Sequence, residues 1–216
     1  RNRKSAGPLG TTAGNSRPAA RSRPDARCRP RLEALEHRTV LSAAQPNIVF
    51  IMGDDLDVQS VQYMPQVQEL LAGQGVTFEN SFVTSPICCP SNVTALTGQY
   101  NFNHGVLNNI LPTGGFQKFV NMRTDGDPAT QGDESTLATW LDDAGYNTAR
   151  VGKYLVDYPI DSTYVPPGWD EWYSTYGGAT TYFGYHLNEN GTVVQYGADE
   201  DDYLTDVLTE KAVDFI

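Results

Sequence analysis

Asp54 and Asp55 close the apolar run of PNIVFIMGDDL, Cys88 and Cys89 open CCPSNVTALTG, and Lys153 closes NTARVGK. Adjacent carboxylates repel unless positive charge lies between or near them. Hard oxygen ligands of this kind suit Ca2+ or Mg2+; equally, two acids can simply begin a surface loop. Pro90 and Ser91 mark a helix start, where free N–H groups and the helix dipole favour negative charge. There Cys88, two residues ahead of Pro90, fits an activated nucleophile. The same turn fits a bound sulfate or phosphate, or a buried structural pair of thiols. Lys153 at a strand end can clamp an anion or sit solvated. His104, in NFNHGVLNN, is similarly ambiguous, with an exposed loop histidine as the default reading.

The third cysteine, Cys28, lies far upstream. Neighbouring cysteines rarely bridge, because the short loop strains the disulfide. Three cysteines make no disulfide framework, and their spacing is not that of a zinc site.

The elements that position these residues follow from periodicity. Residues 46–56 read as a strand, since the continuous apolar run Ile48–Met52 suits burial on both faces. Residues 64–75 read as a helix with Val67, Leu70 and Leu71 on one face, and 76–83 as a strand. Residues 91–98 read as a short helix capped by Ser91 and Gly98. Residues 133–146 read as a helix with Ser135 as cap, 147–155 as a strand, and 201–216 as an amphipathic helix. This alternation predicts an α/β fold, a mostly parallel sheet with helices on both faces. Its active edge lies at the carboxyl ends of the strands, which places Asp54, Asp55 and Lys153 together.

Charge divides the 216-residue chain. Residues 1–45 hold ten basic and three acidic residues, a balance of +7, and the rest carries −18. Residues 1–44 read as a disordered basic leader rich in Arg, Pro, Ala, Ser and Gly. Within it, RPRLEALEHRTVLSA resembles the LEPR-type segment ahead of some secreted bacterial proteins. The acidic body argues against a nucleic-acid partner. No apolar run approaches the roughly 18 residues of a transmembrane segment.

Three motifs in register resemble the sulfatases of the alkaline-phosphatase-like superfamily. PNIVFIMGDDL resembles the strand that delivers two aspartate ligands. CCPSNVTALTG resembles the signature Cys-x-Pro-Ser-Arg-x-x-x-Leu-Thr-Gly, and VGKYL resembles the later Gly-Lys motif. The resemblance covers residues 46–216, the N-terminal part of a catalytic domain. It extends to N-acetylglucosamine-6-sulfatase-like arylsulfatases through CCPS, YNFNHGVLNN, GKYLVDY, VPPGWDEWY, YHLNENGTVVQYG and DYLTDVLTEKAVDFI.

The resemblance carries specific implications. Cys88 would be oxidised by a formylglycine-generating or sulfatase-maturing enzyme to Cα-formylglycine, whose hydrate attacks sulfur with one hydroxyl and expels sulfate with the other. A plain Ser or Cys lacks that second hydroxyl. Asp54, Asp55 and the residue at 88 would hold Ca2+, Lys153 would bind sulfate, and His104 would stand at the substrate rim. The helix would point its first N–H groups at sulfate. Cys89 would only pack. The substrate would be a sulfated glycan of the N-acetylglucosamine 6-sulfate type or an aryl sulfate, and the location secreted or periplasmic.

One position departs from the signature: Asn92 stands where the family has Arg. It favours a second reading, a non-catalytic glycan-binding relative that keeps the pocket; a third reading is a phosphate- or phosphonate-ester hydrolase of the same superfamily. Asn92-Val93-Thr94 also fits a glycosylation sequon. The family's remaining metal ligands usually lie further along, so the 216 residues alone are expected to be inactive.

Overall fold

The computed structural model describes residues 45–121, 132–159, 163–176 and 181–216. The leader, with Cys28, lies outside them. Contacts divide the chain into two units, Arg1–Ile51 and Met52–Ile216. Of the first, the described part is residues 45–51, exposed and without regular secondary structure.

The second unit is built on a four-stranded sheet in the order β1 (Ala149–Lys153), β2 (Glu171–Thr175), β3 (His186–Glu189), β4 (Thr192–Gln195). The sheet is mixed. β1 and β2 pair in parallel, with Arg150 beside Trp172, and the other two pairs are antiparallel. The β3–β4 hairpin turns on Asn190 and Gly191, both at positive φ (51° and 85°). Asn-Gly is the preferred pair for such a two-residue turn.

Alternation along the strands sends side chains to opposite faces. Trp172 and Asn188 face an aromatic core that includes Tyr154, Tyr158, Phe116 and Phe119. Two helices pack into this core, α1 (Cys88–Thr97) through Cys89, Val93 and Leu96, and α3 (Gly115–Val120) through its phenylalanines. A four-residue turn of helix between them, α2, spans Asn101–His104. Leu187, on the opposite face, packs with Leu204 and Val207 of α5 (Leu204–Phe215). Lys211 of α5 reaches Glu189 at 3.0 Å. Helices therefore cover both faces, as an α/β fold requires.

Two expected strands are not formed. Residues 46–56 and 76–83 contain no strand. Ile48, Val49, Phe50 and Ile51 are 57–76% exposed, and Phe78, Phe82 and Val83 are exposed as well. A strand exists only through its ladder, and neither segment finds a partner among the described residues. Residues 67–72 do coil, as a π-helix, with Leu70 and Leu71 exposed. The helix expected at 91–98 starts three residues earlier, at Cys88, with Ile87 as cap, and stops at Gly98 as expected. In α4 (Leu137–Asp143) the cap is Thr136, which forms a capping box with Thr139, in place of Ser135.

Gly168 holds the start of α4 against the loop before β2. Its φ is +82°, and an added Cβ would lie 2.5 Å from the Thr139 nitrogen. Left-handed strain and a backbone clash therefore act together. Gly168→Ala is expected to destabilise the fold by about 2 kcal/mol or more. Denaturant unfolding of wild type and variant checks this.

Candidate active site

α1 starts where it does because its first turn is fixed on several sides. Cys89 is fully buried. Its Sγ accepts from the Val156 N–H at 3.1 Å, and its own N–H donates to Asn109 Oδ1 at 2.9 Å. Burial pushes the Cys89 thiol up to about 11, so it stays protonated and packs. The preceding residue, Cys88, points elsewhere and is half-buried.

Cys88 Sγ lies 3.7 Å from Asp54 Oδ1, a weak thiol contact. The other oxygen of Asp54 is 2.5 Å from Lys153 Nζ. Residues 54, 88 and 153 are thus one cluster, although far apart in sequence. Burial alone would lower the Lys153 pKa; the hydrogen bond and charge of Asp54, with Cys88 beside it, outweigh this and raise it. Lys153 is therefore a firm cation at neutral pH. It follows Gly152, whose φ of +110° is a backbone conformation that favours glycine.

Asp54, Asp55 and Cys88 place one ligand atom each within 4.8 Å of one another. Two exposed carboxylates facing one space fit part of the oxygen shell of a hard divalent cation. Ca2+ takes about six to eight oxygens, so these residues would supply a share of it.

Two expectations need correction. His104 does not stand at a rim: it is 3% exposed. Its Nδ1 accepts from the Val106 N–H at 3.1 Å, so Nε2 carries the proton and donates to Thr94 Oγ1 at 3.0 Å. Burial lowers its pKa, against a bond to the Pro90 backbone, and it braces α1 as a neutral ring. The helix start is also not a row of free N–H groups. That of Cys89 is taken by Asn109, Pro90 has none, and that of Ser91 bonds to the Ile87 carbonyl at 2.9 Å. The sequon at Asn92 is closed too, because that side chain is 5% exposed and hydrogen-bonded.

Arg150 and Asn109 were not singled out from the sequence. Arg150 carried a signal: it is one of only five basic residues after residue 45, set in a strand three positions before Lys153. Its Nη2 donates to Asn92 Oδ1 at 3.2 Å and to the Lys153 carbonyl at 2.5 Å.

The family model described as Sulfatase matches residues 46–216. The chain is 36% identical over 180 residues to the extracellular sulfatase SULF-1 homolog of Drosophila melanogaster, covering 80% of this chain and 14% of that protein. It is 32% identical over 179 residues to the human N-acetylglucosamine-6-sulfatase, covering 80% of this chain and 31% of that one. The chain therefore spans less than a third of either relative. Its fold is similar to the solved structure of BT4656 in complex with its substrate, D-glucosamine-2-N,6-O-disulfate. That match has a TM-score of 0.58 and 25% identity, and covers 80% of this chain and 31% of the other.

The contrast between the two thiols is directly measurable. In native protein with both cysteines unconverted, iodoacetamide at pH 8 is expected to alkylate Cys88 and spare Cys89, with both reacting after denaturation. Peptide mass spectrometry reads the two positions apart, and equal native labelling would contradict the assignment of Cys89 to the core.

Proposed function

The chain belongs to the sulfatase family, and on that premise we propose that its protein is a sulfuric ester hydrolase with Cys88 at the reacting centre. The single observation that carries this reading is the convergence of Cys88, Asp54 and Lys153 within hydrogen-bond and ion-pair distances. The substrate class we propose is a sulfated glycan of the N-acetylglucosamine 6-sulfate type, or an aryl sulfate. The names of the relatives and the sulfated glucosamine in the related structure support it. Extracellular relatives support a secreted or periplasmic location.

In this reading a maturing enzyme would convert Cys88 to formylglycine, and Asp54 and Asp55 would hold Ca2+ with the residue at 88. Together these groups would supply a nucleophile for sulfur and a Lewis acid for the sulfate oxygens. The chain's own residues do the rest. Lys153, a cation throughout the neutral range, is set to bind a sulfate oxygen and offset charge that develops there. Asp54 holds the Lys153 ammonium beside the residue at 88. The buried Cys89 and the neutral His104 fix the turn that presents it, so little reorganisation is needed when substrate arrives.

The test is the mass of the peptide containing Cys88, from the full-length protein made with a maturing enzyme. The aldehyde form is expected, and a fully unconverted thiol would sink the proposal. In the same preparation Lys153→Ala is expected to lower kcat/KM for a sulfate ester by about 100-fold. Asp54→Asn with Asp55→Asn is expected to abolish Ca2+ binding in calorimetry.

A further inference from the structure

We propose that Arg150 is the positioning residue of this site, supplying from β1 the guanidinium that the signature carries on α1; this rests on the sulfatase reading above. The departure at Asn92 leaves α1 with a short neutral side chain. The structure fills the space in front of it with Arg150. Arginine only donates, so Asn92 must turn Oδ1 towards it. The amide's other end, Nδ2, then donates to the Cys88 carbonyl at 3.0 Å.

The result is a continuous chain of polar contacts. The Lys153 carbonyl and Asn92 Oδ1 accept from one guanidinium nitrogen, and Asn92 holds the Cys88 carbonyl. It joins the backbone of the two residues that the reaction needs closest together. Arg150 touches neither a substrate position nor the Cys88 side chain in these contacts, so its role is to position.

Its surroundings match this role better than that of a surface cation. No carboxylate pairs with Arg150 among the described residues. Its guanidinium lies over the Tyr154 ring, 5.5 Å from the centroid, and its Nε is buried without a partner. A buried cation without a counter-ion is costly. The fold retains one here, where a chain that is acidic after residue 45 must receive an anion. Positions 92 and 150 thus form one unit, a guanidinium and its acceptor shared between helix and strand.

A double-mutant cycle in the full-length protein tests this through kcat and KM for a sulfate ester, per chain converted at Cys88, together with thermal unfolding midpoints. Arg150→Met is expected to lower kcat about tenfold or more with KM within about twofold, and Arg150→Lys to keep about a third of wild-type kcat. Asn92→Arg alone crowds two guanidinium groups and lowers the unfolding midpoint. The double variant Asn92→Arg, Arg150→Met returns one guanidinium to the site. It is expected to recover kcat to within about threefold of wild type and to unfold above the additive value. Unchanged kcat in Arg150→Met, or additive effects of the two changes, overturns the proposal. If the wild-type protein hydrolyses no sulfate ester, the reading of the function fails. The unfolding cycle then decides the Asn92–Arg150 unit by itself, with additivity against it and coupling for it.

Discussion

The contact between the Val156 N–H and Cys89 Sγ, 3.1 Å long, fixes the rest of the site. It ties the first turn of α1 to the chain just beyond β1 and seals Cys89 in the core. Successive helical residues lie about 100° apart around the axis. With Cys89 committed inwards, Cys88 is swung out of the core and towards Asp54. Asn109 on the Cys89 N–H and His104 bonded to the Pro90 backbone hold the turn in place. Arg150, Lys153 and Val156 all lie on β1 or within three residues of its end. One packing constraint thereby sets the distance between the thiol and the cation.

Charge gives this placement its consequence. After residue 45 the chain has five basic residues against 23 acidic ones, a field that repels sulfate esters. Two of those five, Arg150 and Lys153, are placed on β1 beside this turn. Asp54 pairs with Lys153, and in the proposed reading a divalent cation would tip the site positive where sulfate binds. The acidic body elsewhere keeps anions from competing surfaces.

Much of this was legible in the sequence. The order and spacing of GDD, CCPS and GK identified the cluster, and the Gly98 stop, β1 and α5 followed from periodicity and capping. The strand expected at 46–56 was not formed, because an apolar run says that a segment wants burial and cannot say which strand will pair with it. The β3–β4 hairpin was announced by Asn190-Gly191 between alternating residues and went unread. His104 was misplaced because a histidine between asparagine and glycine reads as exposed loop, while its burial depends on Thr94, Val106 and Pro90 folding around it. The role of Arg150 was not legible for a similar reason, although its scarcity as a base after residue 45 was. Its acceptor, Asn92, lies on a different element, and only the fold shows that a missing arginine at one position is met by an arginine from another.

The proposed roles of Asp54, Asp55 and Lys153 in the reaction all depend on Cys88 being the reacting centre of a sulfate ester hydrolase. Release of inorganic sulfate from N-acetylglucosamine 6-sulfate by the full-length protein, against its Cys88→Ala variant, tests that most directly. Many turnovers by wild type and none above background by the variant are expected. Sustained turnover in Cys88→Ala would contradict it.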